Sequence, residues 1–166
     1  MTPEPSAAAI AEMTVLAAAL VRRFGMMPKV ALLSHSNFGS VDSASARRMR
    51  EGLALIRAAA PELEVDGEMQ AVFAFRDEDR ARLFPNSRLT GAPNLLVMPS
   101  VDAANIAFNL LRSVGGGQSI GPLLLGARLP AHILTLSTTS RGIVNMTALA
   151  VLDAQVHAPR TAEAGA

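Results

Sequence analysis

Two short apolar runs constrain this chain more than anything else in it: KVALLS at 29–34 and NLLVM at 94–98. Each is followed by a polar turn and then a segment of helical periodicity. A run of four apolar residues bounded by polar and turn-forming residues reads as a strand buried on both faces. Such strands, alternating with helices of a dozen or more residues, build a parallel sheet with helices on both sides. The expected fold class is therefore α/β, a three-layer αβα arrangement with a mostly parallel sheet.

The other elements follow from the same periodicity. Ser6 is placed to cap a helix over 7–24, with Ile10, Met13, Ala17, Leu20, Val21 and Phe24 on its apolar face. Gly25 and Pro28 end it. Ser43 caps a second helix to about residue 60, ended by Pro61. Residues 64–69 read as a short strand, 70–84 as weakly helical and charged, and 85–87 as mobile. A helix is expected over 102–114, with Ile106, Leu110 and Val114 on one face and Gly115, Gly116 and Gly117 closing it. Further strands are expected at 120–125 and 132–136. A last helix over 139–157 carries Ile143, Met146, Leu149 and Leu152 along a buried stripe. Residues 158–166 read as a disordered tail.

Composition narrows the function. The chain has 166 residues, enough for one domain. Half of them are apolar and the mean hydropathy is +0.30, which excludes a disordered chain. The net charge is +1, and Lys29 is the only lysine. There is no clustered basic footprint for a phosphate backbone, so no nucleic-acid partner is expected. With no cysteine, disulfides, thiolate zinc sites and thiol catalysis are excluded, and a cytoplasmic setting is favoured. The apolar stretch 7–24 contains Glu12 and ends in Arg22 and Arg23. It reads neither as a membrane span nor as a signal peptide. A helix opening at the first residues reads as the start of a fragment cut from a longer protein.

In parallel sheets ligands bind beyond the carboxyl ends of the strands. The first such loop, SHSNFGS at 34–40, holds three hydroxyls, an amide, an imidazole and a glycine. Two readings of it stand: an anion site built on backbone N–H groups, or a polar turn leading into a helix cap. It lacks the glycine–lysine pattern of a P-loop. Asp66 and Glu68 flank Gly67 and read as acid–base groups, as helix caps or as partners for arginine. Arg47, Arg48 and Arg50 lie on the helix after the loop and read as a solvated face. Gly115–Gly117 follow a helix, not a strand, and so make no dinucleotide fingerprint. His35, His132 and His157 lack ligand spacing, and no metal site is expected. A nucleophile set drawn from Ser36, His35 and Asp102 lacks the elbow pattern such chemistry uses.

Longer stretches carry a resemblance. KVALLSHSNFGS (29–40), ELEVDGEMQ (62–70), LTGAPNLLVMPSVDAANIAFNLLRSVGG (89–116), IGPLLLG and RGIVNMTALAVLDAQ resemble the C-terminal part of the phosphate acetyltransferase family, over roughly 6–157. The SHSNFGS and DGEM variants look most like the acetyltransferase-like domain fused behind the catalytic part of large bacterial NADP-dependent malic enzymes.

The resemblance implies a second subdomain of a two-subdomain α/β fold, similar to isocitrate and isopropylmalate dehydrogenases, with a cleft between the halves. It also implies an apolar face left uncovered, and a homodimer or higher homo-oligomer. The family's Ser–Arg pair and downstream Asp help bind and activate the coenzyme A thiol. Matched onto 130–144, they fall on Thr135, Leu136 and Gly142. A further basic residue of the family falls on Arg112 or, shifted by one, on Ser113; Arg141 is a neighbouring charge. No catalytic residue is then expected.

The leading expectation is a non-catalytic regulatory and oligomerisation domain of a malic enzyme that senses acetyl-CoA. Ser34, Ser36, Asn37 and Ser40 would line the cleft, with Asn105, Arg112 and Thr135 as further contacts. NADP and a divalent metal would belong to the parent catalytic domains. The alternatives are an active phosphate acetyltransferase fragment, transferring acetyl between coenzyme A and phosphate, and a purely structural dimerisation module.

Overall fold

The computed structural model describes residues 3–115, 119–136 and 138–157. The chain divides into two compact units, Met1–Val114 and Gly115–Ala166. The first holds the sheet. In chain order it contains α1 (Ala7–Arg23), β1 (Lys29–Leu33), α2 (Ala44–Ala59), β2 (Glu64–Met69), α3 (Ala71–Phe75), α4 (Asp77–Leu83), β3 (Leu95–Val97) and α5 (Val101–Gly115). The second contains α6 (Ser140–His157).

The three strands are parallel in the order β2-β1-β3. β1 is central and divides its side chains between two cores. Val30 and Leu32 join Val65 and Val97 against Ile10, Ala18, Met49, Leu53 and Ile56 of α1 and α2. Ala31 and Leu33 join Met69, Ala74 and Leu89 on the opposite face. A strand apolar on both faces is what a centre between two layers requires, and the α/β class with a parallel sheet is observed.

Both predicted caps form. Ser6 accepts from the Ala9 N–H at 3.2 Å and Ser43 from the Ala46 N–H at 3.1 Å. The α1 face differs from the expected one. Ile10, Ala11, Thr14 and Ala18 are buried, while Phe24 is exposed. The small residues let α1 approach α2 closely: a Cβ on Gly52 would stand 2.9 Å from Ile10 Cγ2. Close approach favours the small side of the helix over its bulkier stripe.

Two further expectations are corrected, the strands after α5 and the buried stripe of α6. Residues 120–125 and 132–136 form no strand among the described residues. An apolar run becomes a strand only where a neighbouring backbone accepts its hydrogen bonds, and none pairs with these. On α6 only Met146 is buried; Ile143 and Leu152 are exposed. On α5 no residue is buried, and Ile106, Leu110 and Val114 are open to solvent. Periodicity identified these helices, but among the described residues their apolar faces are largely open. Gly116, Gly117 and the tail 158–166 lie outside the described residues. No helix is long and apolar enough to cross a membrane among the described residues.

Candidate functional site

The loop after β1 lies beside the end of β2. The Ser34 N–H donates to the Met69 carbonyl at 2.8 Å, and the Phe38 N–H to the Glu68 carbonyl at 2.7 Å. The chain then reverses through Phe38 at φ 48 and Gly39 at φ 90. The Ser40 hydroxyl accepts from the Asn37 N–H at 2.9 Å and closes the turn.

Glu68 is the centre of this loop. β2 shifts register against β1 after the Leu32–Gly67 pair, so that Leu33 faces Met69 and Glu68 is the extra residue. Such a bulge re-aims a side chain. Glu68 reaches Arg50 on α2 and is fully buried. Its Oε1 accepts from the Ser36 hydroxyl at 2.7 Å, the Gly39 N–H at 2.9 Å and Arg50 Nη1 at 3.0 Å. Its Oε2 has no partner among the described residues. The anion that the loop's donors surround is thus a carboxylate of the chain itself. Arg50 also donates to Asp42 Oδ1 at 3.3 Å. Asp42 is held below its ordinary carboxylate range, first by a hydrogen bond from Arg47 and then by the charges of Arg47 and Arg50.

The other β2 carboxylates anchor the segment before β3. Asp66 accepts from Arg57 at 2.8 Å, and from the Ser87 hydroxyl and Arg88 N–H at 2.7 Å each. Glu64 accepts from the Thr90 N–H at 2.6 Å. Residues 85–87, read as mobile, are thus tied to the sheet edge at Ser87. Arg80 was not singled out in the sequence, yet it is 1% exposed. It donates to the carbonyls of Phe73, Ala74, Leu89 and Gly91 and pairs with Asp77. Its only sequence signal is a short acidic–basic cluster, which looks the same whether exposed or buried.

The structure brings Ser34, Ser36, Asn37 and Ser40 together in one loop. Ser36 is buried and donates its hydroxyl to Glu68. Asn37 Oδ1 accepts from the Gln70 N–H at 2.8 Å. Asn105 and Arg112 are exposed on α5, and Asn105 Oδ1 accepts from Asn109 at 3.0 Å. Thr135 is in the second unit, where its N–H donates to Thr138 Oγ1 at 3.1 Å. His132 lies 3.5 Å from Asp153 in that same unit. No group of three or more His, Asp or Glu able to hold a metal is present among the described residues.

Comparison with known proteins gives one consistent relationship. The family model for phosphate acetyl/butaryl transferases matches residues 1–151. An NAD-dependent malic enzyme from Rhizobium meliloti is 54% identical over 90% of this chain and 19% of its own length. A phosphate acetyltransferase from Paracoccus denitrificans is 44% identical over 90% of this chain and 47% of its own. Among solved structures, a phosphotransacetylase from Streptococcus pyogenes superposes with a TM-score of 0.85 at 29% identity, covering 95% of this chain and 47% of that one. The chain therefore spans about a fifth of the malic enzyme's length and about half of the acetyltransferases'.

Proposed function

The chain belongs to the phosphate acetyl/butaryl transferase family, and on that premise we propose that it is a non-catalytic domain of a malic enzyme that senses acetyl-CoA and assembles the protein. One observation carries the reading. Matched by resemblance onto 130–144, the family's Ser, Arg and Asp would fall on Thr135, Leu136 and Gly142. A coenzyme A thiol must lose its proton and a phosphoryl group needs a cation beside it. An isobutyl side chain and a hydrogen atom supply neither.

Binding without turnover requires only different affinities for two conformations. The loop holding Ser34 and Asn37 offers polar groups for such binding, with Asn105 and Arg112 on α5 as further candidate contacts. The exposed apolar faces of α5 and α6 support assembly, either with the rest of a longer chain or with a second copy. The catalytic domains of such a parent, with NADP and a divalent metal, would lie outside this sequence. The identity to an acetyltransferase keeps a second reading, an active acetyl-transferring half.

Calorimetric titration of acetyl-CoA into the complete protein tests this, with Asn37→Ala alongside and an assay for acetyl phosphate. Saturable binding, weakened by the substitution and without acetyl transfer, is expected. Robust transfer would establish the second reading. No binding at millimolar ligand would leave assembly as the role.

A further inference from the structure

The loop at 34–41 uses its polar groups in two directions, and we propose that Glu68 is the positioning residue that separates them. Its carboxylate fills a cradle inside the loop, and this presents Ser34, His35 and Asn37 outward to the ligand. The inference rests on the reading of this loop as an acetyl-CoA contact.

The inward groups are engaged. The Ser36 hydroxyl donates to Glu68 Oε1 at 2.7 Å and accepts from the Val41 N–H at 3.1 Å. The Gly39 N–H and Arg50 Nη1 converge on that same oxygen at 2.9 and 3.0 Å. Ser36 is 0% exposed, so it shapes the loop and does not meet a ligand. Two neutral donors and one guanidinium around a single carboxylate oxygen make a charge-assisted cluster. Its order depends on the anion being there.

The outward groups are oriented and available. The Gln70 N–H fixes the Asn37 side chain through Oδ1 at 2.8 Å. That leaves the Asn37 Nδ2 donor without a partner among the described residues. The His35 carbonyl accepts from Gln70 Nε2 at 2.9 Å, while its imidazole is exposed. Ser34 Oγ accepts from the Ser36 N–H at 3.2 Å and keeps its own proton to give. An amide N–H and a hydroxyl are donors suited to the phosphate or carbonyl oxygens of a coenzyme A ester. Asn37 is held through the Gln70 N–H and the Ser34 backbone through the Met69 carbonyl, both beside Glu68 on β2.

The test is hydrogen exchange of the complete protein, read at the Gly39 and Val41 amides. Glu68→Ala should raise exchange there by about tenfold, with the β1 amides changed far less. Formate at tens of millimolar should refill the cradle and restore protection, while chloride at equal ionic strength should not. A purely structural cavity would show no such discrimination. If Glu68→Ala does not fold, Glu68→Gln carries the test, since it keeps the shape and loses the charge. Formate should likewise restore the acetyl-CoA affinity that Glu68→Ala loses. Unchanged loop exchange in both variants, or equal rescue by chloride, would overturn the role given to Glu68. Absence of acetyl-CoA binding by the unsubstituted protein would overturn the functional reading and the ligand half of this one. The exchange result decides separately whether Glu68 shapes the loop.

Discussion

The backbone of Gly67 passes so close to Leu32 that a Cβ at position 67 would stand 2.6 Å from the Leu32 carbonyl oxygen. Gly67 also sits at φ +141, a conformation that side chains rarely allow. The register shift of β2 begins here. Beyond it, Glu68 turns toward α2 and Met69 packs in the core opposite to that of Val65.

Gly67→Ala should therefore destabilise the protein by about 2–4 kcal/mol, combining backbone strain with a backbone clash. Urea unfolding followed by circular dichroism measures it. Gly39→Ala is the comparison: at φ +90, with nothing within 4 Å of its Cβ, it should cost about 1 kcal/mol. Equal midpoints for the two variants would contradict the steric argument.

Arg80→Ala should cost about 3–5 kcal/mol, because it leaves buried carbonyls without their donor. Arg80→Lys should recover little, since one ammonium cannot reach carbonyls on both sides of a planar fork. The exposed ion pairs Arg76–Asp79 and Arg82–Asp79 serve as controls, and losing either should change stability by less than about 1 kcal/mol. Chemical denaturation of the four variants, run side by side, gives the ranking.

Asp42 titrates below its ordinary value of 3.8 because Arg47 and Arg50 favour its charged form. A carboxyl whose folded value is depressed stabilises the fold above its unfolded value. That contribution disappears as pH falls through the folded value. Asp42→Asn should thus remove a small part of the stability at neutral pH and flatten the acid limb of the stability curve below pH 4. Carbon-13 NMR titration of the side-chain carboxyl gives the sign directly: a midpoint at or above 3.8 would be wrong for this pairing.

On α5, Leu110 and Val114 are 61% and 85% exposed. Leu110→Glu and Val114→Glu should leave the stability of this chain unchanged within about 0.5 kcal/mol. In the complete protein they should weaken assembly, a shift that sedimentation velocity resolves. An unaltered sedimentation coefficient would mean that α5 contributes nothing to the interface.

Much of the fold was legible locally. KVALLS forms a buried strand, and the caps at Ser6 and Ser43 are where the residues placed them. The SHSNFGS loop was legible as a polar turn, with both an anion and a helix cap as candidate roles. It proved to surround an anion supplied by Glu68. The pairing of Asp66 and Glu68 with arginine was one of three readings left open, and Arg57 and Arg50 supply it.

The runs at 120–125 and 132–136 were misleading for a physical reason. Apolar alternation reports the desire for a covered face, whereas a strand exists only when another backbone completes its hydrogen bonds. Helices close their own hydrogen bonds, which is why α5 and α6 form even with their apolar faces open. The sequence by itself determined which segments are helices and where the first two are capped, because those depend on neighbours a few residues away. Tertiary structure alone decided that β2 slips at Gly67, that Glu68 becomes the anion of its own loop, and that Arg80 is buried. Each of those rests on groups brought together from distant parts of the chain, and no local pattern encodes such a meeting.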